Sequence, residues 1–212
     1  MDRAQPGCKA RTKALPFRQT RVTAAKRFRA GPASRRFGDA LGTVGAMTPA
    51  RSTSLSPVLV ERLSQRDLPR RLGVGLPFVT MDAQGRPHPM LASYLEVRAY
   101  DAGTVGLVIQ AHSTSARNLA ERQTGTLLVI EPDVIVYVKL RALDGPLPVE
   151  GGEPFGLGYF LLEVEDVRED AAADWEAGMR VTEPIRYAPP PDLGAPWARA
   201  TLAALAAPRA RA

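Results

Sequence analysis

Six short apolar runs follow one another closely, over residues 76–81, 86–97, 104–110, 125–131, 134–140 and 158–167. Each has the length of a strand, and several junctions carry turn chemistry: Asp82-Ala83-Gln84-Gly85, Asp101-Ala102-Gly103 and Glu131-Pro132-Asp133. The junction at 111–124 is the one that reads as a helix. A parallel α/β sheet needs a helix between most of its strands, so that class is excluded. An open antiparallel sheet exposes two edges, and closure removes them. The pattern therefore predicts a mainly β chain with a few helices, built as a closed or nearly closed barrel. Pro87 and Pro89 stand two apart, so both ring nitrogens face one side; that end of the second strand belongs at a sheet edge or a bulge.

The flanks are less regular. Ser56-Pro57 ahead of an apolar stretch predicts a short helix with Pro57 at its first position and its end near Leu68-Pro69. Residues 144–156 are rich in Gly and Pro and read as a loop. After Trp175 come an extended Pro189-Pro190-Pro191 and a helix near 196–206 that carries Trp197.

The net charge of +6 is not a property of the whole chain. Residues 1–46 hold 11 Lys/Arg against 2 Asp/Glu, whereas residues 47–212 hold 17 against 20. The first segment cannot bury enough apolar surface to order itself and is expected to be a disordered basic extension. It reads as a basic arm, as a targeting segment, or as residues ahead of a true start at Met47; the third is preferred because the compact pattern begins soon after Met47. The domain of residues 47–212 is mildly acidic, which excludes a basic nucleic-acid-binding fold. Aromatic residues make up 6% of the chain, too few for a base-stacking platform. Cys8 is the single cysteine, so no intrachain disulfide or structural zinc site forms, and a cytoplasmic setting fits best. His88 and His112 stand in no metal-ligand spacing, and no apolar run reaches membrane-spanning length. Nucleic acid, membrane and metal are thus not expected partners.

The 111–124 insert carries the chemistry. His112-Ser113-Thr114-Ser115-Ala116-Arg117-Asn118-Leu119 packs three hydroxyls, a guanidinium and an amide between two strands. Ser113 is a good N-cap, and two or three helical turns follow. The first turn of a helix leaves backbone N–H groups unpaired at the positive end of the dipole, so the hydroxyls beside them can cradle a phosphate. Arg117 leans back over that turn and adds a charge-assisted contact. The plain alternative is an ordinary cap with a solvated arginine. His112 likewise serves either as a ligand contact or as a satisfied polar residue at the helix start. Gly-x-Ser-x-Gly and Gly-x-x-x-x-Gly-Lys signatures are absent, and Gly73-Val74-Gly75 lacks the rest of a dinucleotide fingerprint.

The order of these parts resembles a known family. Strand, Asp-x-x-Gly-Arg-Pro-His turn, long strand, strand, Ser-x-Ser-x-Arg-Asn-Leu helix, strand and strand, over about residues 74–170, is similar to the pyridoxamine 5′-phosphate oxidase-like FMN-binding split barrels. The resemblance implies a six-stranded antiparallel split β-barrel of Greek-key type. It implies a homodimer with FMN at the interface, and NAD(P)H or a small organic molecule as the reaction partner. By the same resemblance Ser113, Ser115 and Arg117 hold the flavin phosphate, with Thr114 and Asn118 nearby. Gln110 and His112 lie beside the ribityl chain or ring edge, the strand around Met90 and Ala92 backs the ring system, and Lys139 reaches the cleft from the partner protomer. The chain departs from the vitamin-B6 oxidases themselves, because residues 104–110 contain neither the Arg nor the Lys that they carry there. A general flavoprotein is the better expectation. A flavin carries its own redox chemistry, which agrees with the lack of an evident acid–base pair. The alternative is a flavin- or haem-binding carrier of the same fold without turnover.

Overall fold

The computed structural model describes residues 51–170 and 180–210, all within the compact unit Gly45–Ala212. The expected disorder of residues 1–46, Cys8, Met47 and Trp175 lie outside the described residues.

Eight strands form one antiparallel sheet: β1 (Arg51–Ser52), β2 (Gly75–Met81), β3 (Pro87–Ser93), β4 (Val97–Ala99), β5 (Thr104–Gln110), β6 (Thr124–Glu131), β7 (Val134–Pro148) and β8 (Leu157–Glu169). Their order is β3-β2-β6-β7-β8-β5-β4, with β1 added on β8. β6, β7 and β8 are a meander, and β5 returns beside β8 through the long 111–123 connection, which is the Greek-key pattern. The two end strands, β3 and β4, are consecutive in the chain but do not pair with each other. The sheet curls as a half-barrel that is split between them.

The two strands beyond the expected six are β1, added at the edge of β8, and β4, and a further departure lies in the stretch 144–148. The run 86–97 breaks after Ser93, where Tyr94–Glu96 turn a corner into the short β4. The corner is pinned from outside the sheet: Gln65 Nε2 lies 3.0–3.2 Å from the carbonyl oxygens of Tyr94, Leu95 and Val97. A side-chain amide thus takes the place of a neighbouring strand, which no period-2 pattern announces. The stretch 144–148, expected as loop, extends β7 instead. Beyond Ala142, whose N–H still reaches the carbonyl of Gln123 at 2.8 Å, β7 pairs only with β8, and Pro146 and Pro148 are tolerated there. Three register shifts along this strand, from Lys139 to Leu147, bend it.

Other expectations hold. Asp82 closes the β2–β3 turn with its carboxylate, which accepts the backbone N–H of Gln84 at 2.9 Å and of Arg86 at 2.8 Å. Gly85 supplies the left-handed φ of 74° that the turn needs. β3, with Pro87 and Pro89, is an edge strand. The helix α1 (Pro57–Leu63) is capped by Ser56, which accepts from Leu59 N. Pro69, however, does not end α1; it opens a separate turn, α2 (Leu68–Arg71), because proline suits a first helical turn.

Leu76, Phe78, Leu107, Leu119, Leu127, Leu140 and Phe160 fill the barrel core. A second cluster, with Val108, Leu147, Tyr159 and Leu205, seats the C-terminal helix on the outer face. That helix is α4 (Pro196–Ala204), and α3 (Thr114–Arg122) belongs to the 111–123 connection. Gly106 permits the seating of α4: a Cβ there would lie 2.5 Å from Tyr100 Oη and 2.8 Å from Leu205 Cδ2.

Candidate functional site

The split in the barrel opens onto a cleft of about 360 Å³ lined by His88, Met90, Glu96, Ile109, Gln110, Ser113, Thr114 and Ser115. Its position follows from strand lengths. β4 pairs with β5 only from Val105 to Leu107, so the last residues of β5 have no full-length neighbour on that side. The carbonyl of Glu96 takes the N–H of Val108 at 2.9 Å, and beyond that point the sheet is open. β3 forms one wall, β5 the other, and the start of α3 closes the end.

Three features hold α3 in place. Ser113 Oγ accepts Ala116 N–H at 3.1 Å and so caps the helix. Ala116 and Leu119 are buried in the core. Asn118, also buried, donates through Nδ2 to Thr80 Oγ1 at 3.1 Å, and Thr80 donates onward to the carbonyl of His88. The helix, β2 and the cleft-lining part of β3 are thereby tied by one buried hydrogen-bonded chain. Gln123 ends the helix in a left-handed cap with φ 59°.

At the helix start the Ser113 cap engages Ala116 N, while the N–H groups of Thr114 and Ser115, at the first two helical positions, have no intrahelical acceptor. The hydroxyls of Ser113, Thr114 and Ser115 stand beside them, and each can donate a proton. This is a donor set for an anion, with Met90 and Ile109 supplying apolar wall. Phosphate chemistry fits it.

The sequence-derived site residues divide in four. Met90, Gln110, Ser113, Thr114 and Ser115 are brought together in the cleft. His112 and Arg117 flank it on exposed positions without lining it, and Arg117 has no ion-pair partner among the described residues. Asn118 and Ala92 are buried beneath it, Asn118 in the bond to Thr80. Lys139 lies on β7, half exposed, with Nζ 3.8 Å from Asp166 Oδ2, and takes no part in this cleft.

Three lining residues, His88, Glu96 and Ile109, were not among the site residues read from sequence. His88, set between Pro87 and Pro89, lines the cleft, as does Ile109. Glu96 looked like an interior strand position; the corner turns it into the opening. Its Oε2 accepts from Ser93 Oγ at 2.8 Å, and no cation among the described residues pairs with it. Burial raises its carboxyl above the usual range, and the hydrogen bonds from Ser93 only partly offset this. A lone Glu between apolar strand residues was the only available signal.

A larger opening of about 560 Å³ lies beside α1 and the β6–β7 turn, lined by Arg62, Glu131 and Asp133 among others. Its polar groups are largely engaged with one another. Glu131 accepts from Tyr94 Oη and Arg71 Nη1 and lies 3.1 Å from Arg62 Nη1; Arg62 also pairs with Asp133, and the Arg71 guanidinium lies 5.1 Å from the Tyr94 ring centroid. Burial, then the bond to Glu131, push the Tyr94 phenol above its ordinary value, so it stays a donor. Among the described residues no group of acidic, histidine or cysteine side chains is arranged to hold a metal, and no helix is long and apolar enough to cross a membrane.

No protein-family model and no curated protein matches the chain. Solved structures similar to it include a putative pyridoxamine 5′-phosphate oxidase from Lactobacillus delbrueckii, 14% identical, covering 55% of this chain and 94% of that one at a TM-score of 0.42. An FMN-binding protein from Syntrophomonas wolfei is 11% identical over 55% of this chain and 91% of its own, at 0.41. A putative flavin reductase from Haemophilus somnus is 8% identical over 56% and 91%, at 0.38.

Proposed function

We propose that the chain is a flavoprotein that binds FMN at the split of its barrel and acts as an oxidoreductase on a small molecule. The observation that carries this reading is the cleft itself. Three hydroxyls and two unpaired backbone N–H groups at the start of α3 face the same opening as the apolar side chains of Met90 and Ile109. Such a site suits a ligand with a phosphate at one end and a flat apolar body at the other. When bound, a flavin supplies hydride and single-electron transfer itself. The chain's residues bind and orient it: Ser113, Thr114 and Ser115 hold the phosphate, Arg117 adds long-range attraction, and Met90 and Ile109 pack the ring. Gln110 and His88 present hydrogen-bonding groups along the edge.

The reading includes a homodimer, with the second protomer covering the open cleft and presenting Lys139, as the family resemblance implies. The first test is a visible absorption spectrum of the purified protein after FMN addition and desalting. Flavin bands that remain with the protein support the reading, and a colourless protein overturns it. NADH or NADPH is then added anaerobically: bleaching followed by turnover supports an oxidoreductase, whereas bound flavin that is never reduced marks a carrier. Sedimentation velocity checks the dimer.

A further inference from the structure

We infer that anion binding in the cleft is coupled to protonation of Glu96, which makes this carboxyl the residue that selects the charge state of the ligand; the inference rests on the phosphate reading of the Ser113–Ser115 turn. Glu96 and that turn line one cleft. No Lys or Arg lines it with them, and no cation among the described residues pairs with Glu96. An anion seated on the turn therefore adds a second negative charge to a space in which this protomer's own described residues give the carboxylate no counter-ion, and the partner's Lys139 is the one cation that the homodimer reading brings to it. Two like charges in one site raise the pKa of the group that is easier to protonate. Glu96 is already biased that way, because burial disfavours its charge. Uptake of one proton removes the repulsion and turns the carboxyl into a donor toward the ligand.

The titratable groups around Glu96 are few. From β3 comes His88, in the cleft; the β3–β4 corner gives Ser93, which donates to Oε2; and β5 presents the neutral Gln110. From the C-terminal segment comes Tyr187, whose phenol is raised by burial and then by the charge of Glu96. His112, exposed, stands just before α3. Among the described residues, His88 is the histidine that shares the cleft. Protonated His88 would also attract phosphate, so it must be separated experimentally.

The experiment titrates wild type, Glu96→Gln and His88→Gln with FMN, and with riboflavin as the phosphate-free control, between pH 5.5 and 8.0 by fluorescence quenching. FMN affinity of the wild type is expected to fall with rising pH by about fivefold more than that of Glu96→Gln, with His88→Gln keeping most of the excess. Ionisation of free FMN is common to all three proteins, and riboflavin affinity should show no such excess. Equal slopes in wild type and Glu96→Gln overturn the inference while leaving the flavin reading intact. An excess lost in His88→Gln but kept in Glu96→Gln assigns the coupling to the histidine and also overturns it. No FMN binding at any pH removes the phosphate reading and this inference with it. Calorimetry on the wild type alone, in buffers of different ionisation enthalpy, gives a check that needs no variant. Net proton uptake on binding FMN but not riboflavin is expected near pH 7, and its absence overturns the coupling.

Discussion

The Glu131 cluster and the cleft at the split both gather hydroxyl and carboxylate groups at the barrel, and both draw on the Tyr94–Glu96 corner. They differ in what their polar groups do. In the cluster, two guanidiniums and a phenol converge on one carboxylate, and Arg62 takes a second carboxylate at Asp133. Apart from the buried Arg62 Nε, which has no hydrogen-bond partner, the bonding capacity of these side chains is largely spent inside the protein. In the cleft, Ser113 spends one lone pair on its cap, while the N–H groups of Thr114 and Ser115 have no intrahelical acceptor and their residues line the opening, Ser115 from a buried position. Unspent capacity, not polarity or size, separates a binding site from a structural network. The cluster borders the larger of the two openings, yet its chemistry is already closed.

That contrast predicts opposite outcomes for mutations in the two regions. The largest effect is expected at Glu131→Ala, which strands the largely buried Arg62 and the part-buried Arg71. Urea unfolding should show a loss of about 3 kcal/mol, with FMN affinity of the folded protein within twofold of wild type. A small stability change there would show that the cluster is not structural. Next comes Ser115→Ala, which leaves the fold nearly as stable and should weaken FMN binding by about 1.5–3 kcal/mol, the range for a hydrogen bond to a charged group. Unchanged affinity in a fluorescence titration would remove the hydroxyl from the site. Arg117→Ala should cost under about 1 kcal/mol of affinity, since the side chain is exposed and outside the cleft, and the difference should vanish in 1 M salt.

The smallest change concerns folding at Glu96. Its folded pKa is raised, so wild type meets no penalty below the unfolded value near 4.3 and loses stability as pH climbs from there through the folded value. Glu96→Gln removes that loss. Its urea midpoint should match wild type at pH 4 and exceed it at pH 8; equal midpoints at both would mean that burial does not disfavour this charge.

Much of the fold was legible because local patterns carried it. Asp82 and Gly85 announced a turn, Pro87 and Pro89 an edge, and Ser56 and Ser113 two helix starts. Each of those signals depends on bonds within a few residues, and each element formed where its signal stood. What escaped depended on distant partners. The run 86–97 looked like one strand because Gln65, about 30 residues away, is what pins its corner. Pro146 and Pro148 looked like loop because nothing local reveals that β6 stops at Thr124 and leaves the end of β7 paired with β8 alone.

The candidate site divides along the same line. The sequence by itself determined the donor set on α3, since a Ser-Thr-Ser cap builds an anion seat from its own backbone. It could not decide which neighbouring side chains face that seat. Asn118 sits in the helix beside the hydroxyls, yet it turns inward to Thr80, because the face of a helix that is buried is chosen by what packs against it. Glu96 lies 17 residues before Ser113 and joins it only because β4 is too short to cover the end of β5. Strand length and pairing fix the opening in the barrel, and both are properties of the assembled sheet, not of any stretch of chain within it.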